Sequence, residues 1–217
     1  MKINERFALK KVEIVEIVEI VEIVEIVEII DKERCLIMEL IEGIRTRRSV
    51  RKFTDEKISR DTMARIVDAA RFAPTWKNSQ TPRYIVVENR QVIEQIAAEG
   101  VMGRAHNAGI IRGAAALVVL TSVRGICGYE PDGSFSTSKG NEWQMFDAGI
   151  AAQTFCLAAH NYGVGSVIMG IFDEKEVGRI IGLDESRVVS ALIAIGYPAQ
   201  EPNAPKRDGV GEYVAFI

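Results

Sequence analysis

Between Trp143 and Tyr162 the chain carries a helix-length segment with almost no wet face. At about 3.6 residues per turn, Phe146, Ile150, Ala151, Ala152, Phe155, Leu157, Ala158 and Ala159 cover most of the circumference, and Gly163 suits the C-cap. Such a helix must be buried on nearly all sides. A chain of 217 residues builds one substantial core, so a subunit interface is the economical solution, with the alanines permitting close approach. The alternative is a central core helix of a monomer.

The rest of the chain after Met38 alternates helix and strand patterns. Ser59 can cap a helix running to about Ala73, with Met63, Ile66, Val67 and Ala70 on one face and Pro74 after it. Asn89 can cap another through Ala98, stopped at Gly100. Arg83 to Glu88, Ala114 to Thr121, Ser166 to Gly170 and Val188 to Ile195 have the length and composition of strands. Interleaving of this kind predicts an α/β or α+β sandwich around one sheet.

Residues 12–29 are six copies of Val-Glu-Ile. A period of three fits neither regular structure: on a helix each step turns about 300°, so the glutamates spiral round the cylinder, and on a strand they alternate between faces. The recurring charge also excludes a membrane span, and no signal-peptide cleavage pattern follows. Two readings remain, a marginal helical or disordered surface arm, or residues translated from an expanded nucleotide repeat ahead of the real start. Met38 favours the second, because Met38 to Ile44 reads as a short amphipathic helix opening a compact domain over 38–217. Residues 1–37 are therefore expected to take no part in catalysis.

The net charge of −3 argues against a general nucleic-acid binder. Cys35, Cys127 and Cys156 form no CxxC pair and fit a reducing cytoplasm. With only His106 and His160 besides, no metal site is expected. The Gly163-Val164-Gly165 stretch follows a helix, so it is no dinucleotide fingerprint, and both histidines read as structural. Against this background the run Arg47-Arg48-Ser49-Val50-Arg51-Lys52-Phe53 stands out. In an extended segment Arg47, Ser49 and Arg51 would share one face over about 13 Å, a spacing suited to an elongated anion. Alone, the run reads equally as a solvated basic turn or a nucleic-acid patch.

In its company the run acquires a family. Arg47 to Phe53, then Ala73-Pro74-Thr75-Trp76-Lys77-Asn78-Ser79-Gln80, then Asp147 to Gln153 with Ala158-Ala159-His160 and Gly163 to Ser166, and finally Pro205-Lys206-Arg207 resemble the FMN-dependent nitroreductase family in order and spacing. The resemblance covers essentially Met38 to Ile217. It implies an α+β fold, a sandwich with one central sheet flanked by helices, homodimeric, with two FMN sites built from both chains at the interface. Carried over by residue, Arg47, Arg48 and Ser49 resemble the phosphate and ribityl contacts, and Lys206 with Arg207 a second phosphate clamp. Arg51 resembles the cation beside the flavin pyrimidine edge. Pro74, Thr75, Trp76 and Asn78 resemble the loop that reaches the flavin from the other subunit. Met169 and Gly170 resemble the turn near flavin N5, and Asn107 a ring-contacting asparagine. One departure is Thr81-Pro82, where the family commonly has Pro-Trp.

The resemblance further implies a cytoplasmic, NADH- or NADPH-dependent oxidoreductase working in two steps: hydride passes to the flavin, then electrons pass to a nitroaromatic, quinone or similar small electrophile. No nucleic acid or membrane partner is expected. Residues 125–141 form the expected lid over the substrate side, the alternative being a long surface loop. Alternatives of the same fold are dehalogenating or flavin-fragmenting enzymes, or a flavin-binding module without turnover.

Overall fold

The computed structural model describes residues 40–217; the Val-Glu-Ile repeat and Met38 lie outside the described residues. The chain divides after Glu42, and the sheet with its helices belongs to the unit Gly43–Ile217. Helix α1 (Leu40–Thr46) crosses that division. Helix α2 (Arg60–Ala70) begins where Ser59 predicts, its hydroxyl accepting the Thr62 N–H at 3.0 Å. A 3₁₀ turn at Trp76–Asn78 leads into β1 (Pro82–Val87). Asn89 caps α3 (Arg90–Gln95) by accepting from the Gln91 and Val92 N–H groups.

The expected continuation of α3 to Ala98 is instead a π turn, Ile96–Gly100. Helix α4 (Ala105–Gly113), which the sequence patterns did not predict, follows, and then β2 (Ala116–Val123). The apolar helix is α5 (Glu142–Asn161), succeeded by β3 (Gly165–Met169), α6 (Glu174–Ile180) and β4 (Arg187–Gly196). Gly100 is required by packing, since a Cβ there would stand 2.8 Å from Val177 Cγ2 on α6.

The strands form one sheet in the order β1-β2-β4-β3, every neighbouring pair antiparallel. Both faces are covered. Leu117, Val119, Leu192 and Ala194 pack with Ile93, Ile96, Ile111 and Val177 on one side. Val118, Leu120, Ile193 and Ile195 pack with Ile66, Ala151, Phe155 and Ala159 on the other. Burial on both faces explains why β2 and β4 read as continuous apolar runs despite antiparallel pairing. The departure at Thr81-Pro82 has a simple consequence: Pro82 opens β1 at the sheet edge, where its missing N–H costs little.

Burial of α5 is uneven. Ala148, Ala151, Ala152, Phe155, Cys156 and Ala159 face the sheet, while Met145 and Phe146 remain more than half exposed.

Candidate functional site

The arginine run is seated by backbone pairing. The Arg47 N–H still bonds the Gly43 carbonyl of α1 at 2.9 Å, after which Ser49 forms a parallel bridge to Ser166 of β3. Val50 N–H reaches the Ser166 carbonyl at 3.0 Å, Thr54 N–H the Tyr197 carbonyl at 2.9 Å, and Ala199 N–H the Lys52 carbonyl at 3.1 Å. The segment thus crosses from β3 to the end of β4. Two glycines permit that approach. A Cβ on Gly165 would lie 2.8 Å from Val50 Cβ, and one on Gly196 would lie 2.9 Å from Phe53 Cβ.

This seating brings Arg47, Arg48, Ser49 and Arg51 around one cavity of about 280 Å³ with Pro202, Asn203, Pro205 and Arg207. Four arginines and a serine therefore line it, with no Asp or Glu among them. Each charge-assisted bond to a phosphate contributes about 1.5–3 kcal/mol, and guanidinium matches phosphate oxygens in pairs. Lys206, expected beside Arg207, is not part of the lining. Nor does the run keep strict strand alternation, because only Ser49 and Phe53 form bridges and Arg48 also lines the cavity. The Arg48 guanidinium is held by the carbonyls of Arg45 at 2.6 Å and Arg47 at 2.9 Å. A lining of this charge suits a compact, multiply charged oxyanion.

His160, in the last turn of α5, reports on the same cations. Its Nε2 lies 3.0 Å from Thr46 Oγ1, and burial, followed by the charges of Arg47 and Arg48, holds its pKa below the ordinary histidine range. The folded state therefore keeps the ring neutral, and its contribution to stability is lost as pH falls below the unfolded value of about 6.5. Proton NMR titration is expected to show His160 titrating below that value, and added inorganic phosphate is expected to move it upward by offsetting the arginines. A titration unmoved by phosphate would separate His160 from the cavity.

A second group of residues surrounds the loop from Pro74 to Gln80. Lys77, Asn78 and Gln80 adopt φ of 46°, 54° and 48°, left-handed values that L-residues with side chains adopt at a cost. The loop closes on itself through Thr75 Oγ1, which accepts the Gln80 N–H at 2.9 Å. It is also held from α5. Asp147 Oδ2 accepts the Trp76 N–H at 2.8 Å and the Cys127 thiol at 3.1 Å, and the carboxylate is almost fully buried. The Trp76 and Trp143 rings pack against each other at a tilt of 41°, with centroids 4.9 Å apart.

Cys127 belongs to residues 125–141, which are folded: Tyr129 bridges Phe135, and Glu130 N–H bonds the Ser134 carbonyl at 2.8 Å. The loop and residues 125–141 together line an open pocket of about 490 Å³, with Trp76, Lys77, Ser79, Ile126, Tyr129 and Glu130 among its walls. Burial, and after it the Asp147 carboxylate, pushes the Cys127 thiol up to about 12. Cys127 is accordingly expected to resist alkylation at pH 8 under native conditions and to react on unfolding, as peptide mapping would show. Rapid native labelling would contradict this placement.

Met169 is buried at the end of β3, and Gly170 follows it, exposed. Asn107 Nδ2 donates to the Ile171 carbonyl at 3.4 Å, so α4 holds the segment that leaves β3 just after Met169 and Gly170. The residues singled out from the sequence thus gather in three places: the arginine cavity, the Trp76 loop and the Met169 turn. None of the loop residues 74–78 lines the arginine cavity of the same chain.

With this geometry in place, residues 44–197 match the Nitroreductase family over most of the chain. The chain belongs to that family. It is an oxidoreductase with the nitroreductase fold. A Methanothermobacter thermautotrophicus protein named for NADH dehydrogenase and NAD(P)H nitroreductase activity is 29% identical over 169 residues, covering 76% of this chain and 80% of the relative. A Vibrio harveyi NADPH-flavin oxidoreductase is 27% identical over 172 residues, covering 77% of this chain and 69% of the relative. Among solved structures, a Desulfovibrio desulfuricans protein described as a nitroreductase, in complex with FMN, superposes with a TM-score of 0.66 at 27% identity, covering 83% of this chain and 97% of that one.

Sequence reasoning about this nitroreductase missed Asp147 and Cys127 as structural partners of the Trp76 loop, and Pro202 and Asn203 as cavity walls. For Asp147 a signal was present. It is the one carboxylate between Trp143 and Tyr162, four residues after Trp143 and beside the small apolar residues Ala148, Ala151 and Ala152.

Proposed function

We propose that this nitroreductase holds FMN by its phosphate in the arginine cavity and moves electrons from NADH or NADPH to a nitroaromatic, quinone or similar small electrophile, binding donor and acceptor in turn. The carrying observation is one cavity lined by Arg47, Arg48, Ser49, Arg51 and Arg207 without a carboxylate. The Desulfovibrio desulfuricans structure in complex with FMN supports the choice of flavin.

Bound there, FMN supplies the hydride chemistry, which explains a site with no acid-base dyad. The chain's own residues bind and orient. Arg47, Arg48, Ser49 and Arg207 take the phosphate end, with Lys206 adding positive charge nearby. Arg51 stands at the end of the run as the cation for the pyrimidine edge, where it stabilises negative charge. Asn107 holds the segment just after Met169 and Gly170, and the glycine allows the backbone to approach a ring closely. Pro74, Thr75, Trp76 and Asn78 lie outside the arginine cavity of their own chain, in keeping with a role toward the site of a second copy. The exposed Met145 and Phe146 of α5 give that second copy an apolar face to cover. A homodimer working in the cytoplasm is the corresponding proposal.

The test is an anaerobic assay with NADH and NADPH across nitro, quinone and enone acceptors. Turnover with at least one acceptor class, with parallel lines in double-reciprocal plots, is the expected result. A colourless protein with salt-dependent DNA affinity and no turnover would overturn the proposal.

A further inference from the structure

Two segments distant in sequence, the Trp76 loop and the lid of residues 125–141, meet at one buried carboxylate. Asp147 Oδ2 accepts the Trp76 N–H from the loop and the Cys127 S–H from the lid, at 2.8 and 3.1 Å. We propose that Asp147 is a positioning residue that fastens the lid to the loop, so that the two form one preassembled wall of the acceptor pocket. Assigning the 490 Å³ pocket they line to the acceptor rests on the flavin reading above; the fastening itself does not.

Other ties cross the same boundary, but they are weaker. Lys77 Nζ meets Glu130 Oε1 at 3.0 Å with both side chains at least two-fifths exposed, the class of ion pair that water and salt screen. The Trp76 and Trp143 rings pack at a tilt, and Trp143 Nε1 donates to Thr137 Oγ1 of the lid at 2.8 Å. Trp143 and Asp147 are four residues apart on α5 and so present to one side of the helix. The carboxylate differs from these ties in being buried and in serving both segments with a single atom. An acceptor of this kind cannot be withdrawn from one partner without disturbing the other. The loop also needs a fastener, since Lys77, Asn78 and Gln80 hold left-handed conformations that persist only where surroundings impose them.

Hydrogen-exchange mass spectrometry of the full chain tests this, with Asp147→Leu replacing both carboxylate oxygens by methyl groups. Residues 75–80 and 125–141 are expected to lose protection together, by about tenfold or more, while β2 and β4 keep theirs. The acceptor KM is expected to rise more than kcat falls. Unchanged protection in both segments, or loss in one alone, would overturn the proposal. Should Asp147→Leu fail to fold, Cys127→Ala makes the test from the lid side: residues 75–80 must loosen along with the lid, and loosening confined to 125–141 overturns it. Exchange behaving as expected in a protein without flavin turnover would preserve the fastening and remove the flavin reading, so the two failures are distinguishable.

Discussion

Replacing Arg207 with alanine is expected to weaken FMN binding by about ten- to a hundredfold while leaving riboflavin binding nearly unchanged. The range follows from losing one charge-assisted contact to a phosphate. Arg207 reaches the cavity from the C-terminal segment, opposite in sequence to Arg47, Arg48 and Arg51, so its removal opens one side of the cradle without disturbing the sheet. Riboflavin is the control because it lacks the phosphate. Equal losses for both ligands would mean that the substitution damaged the fold, and no loss for either would remove Arg207 from the site. Fluorescence quenching titrations at two salt concentrations read both quantities, and the FMN affinity of the wild type is expected to fall more steeply with salt than that of the variant.

Gly165→Ala is the second large effect, and it acts on position, not charge. The added Cβ would stand 2.8 Å from both Cβ and Cγ2 of Val50, a distance that forces the arginine segment away from β3. Overpacking of this kind costs about 1–3 kcal/mol, which for a domain of this size lowers Tm by roughly 3–10 °C. FMN affinity should fall with it, because Ser49 and Val50 are the residues paired to Ser166. Gly209→Ala is the control: nothing lies within 4 Å of its Cβ position, and its Tm should be that of the parent. A normal Tm and normal FMN affinity in Gly165→Ala would show that the segment is not held where the structure places it.

Much of this architecture was legible because local chemistry agreed with the fold. Ser59 and Asn89 both cap the helices they were expected to cap, and the strands fell where apolar runs of the right length stood between turn residues. Helix α4 was not legible, since Gly109 and Gly113 dilute its pattern and Arg104 makes no side-chain cap. The π turn at Ile96–Gly100 was not legible either; it ends at Gly100, where an added Cβ would crowd Val177, far along the chain. At the site, the Arg47 run and Arg207 could be named from sequence, but not their meeting, which depends on Gly165 and Gly196 admitting the segment against the sheet. The strict alternation expected for Arg47, Ser49 and Arg51 gave way because the run begins as the last turn of a helix and pairs only at Ser49 and Phe53. Asp147 escaped notice as a partner because its ligands, Trp76 and Cys127, are joined to it only by tertiary packing.

The central claim is that the arginine cavity holds a flavin that this chain reduces with a nicotinamide nucleotide. It is tested most directly by reconstituting the purified chain with FMN, removing excess cofactor, and recording the visible spectrum under anaerobic conditions before and after adding NADH or NADPH. The account predicts retained flavin whose absorbance bleaches on addition of at least one nucleotide and returns when an electrophilic acceptor is added. A chain that retains no FMN, or retains it unbleached by either nucleotide, would contradict the account.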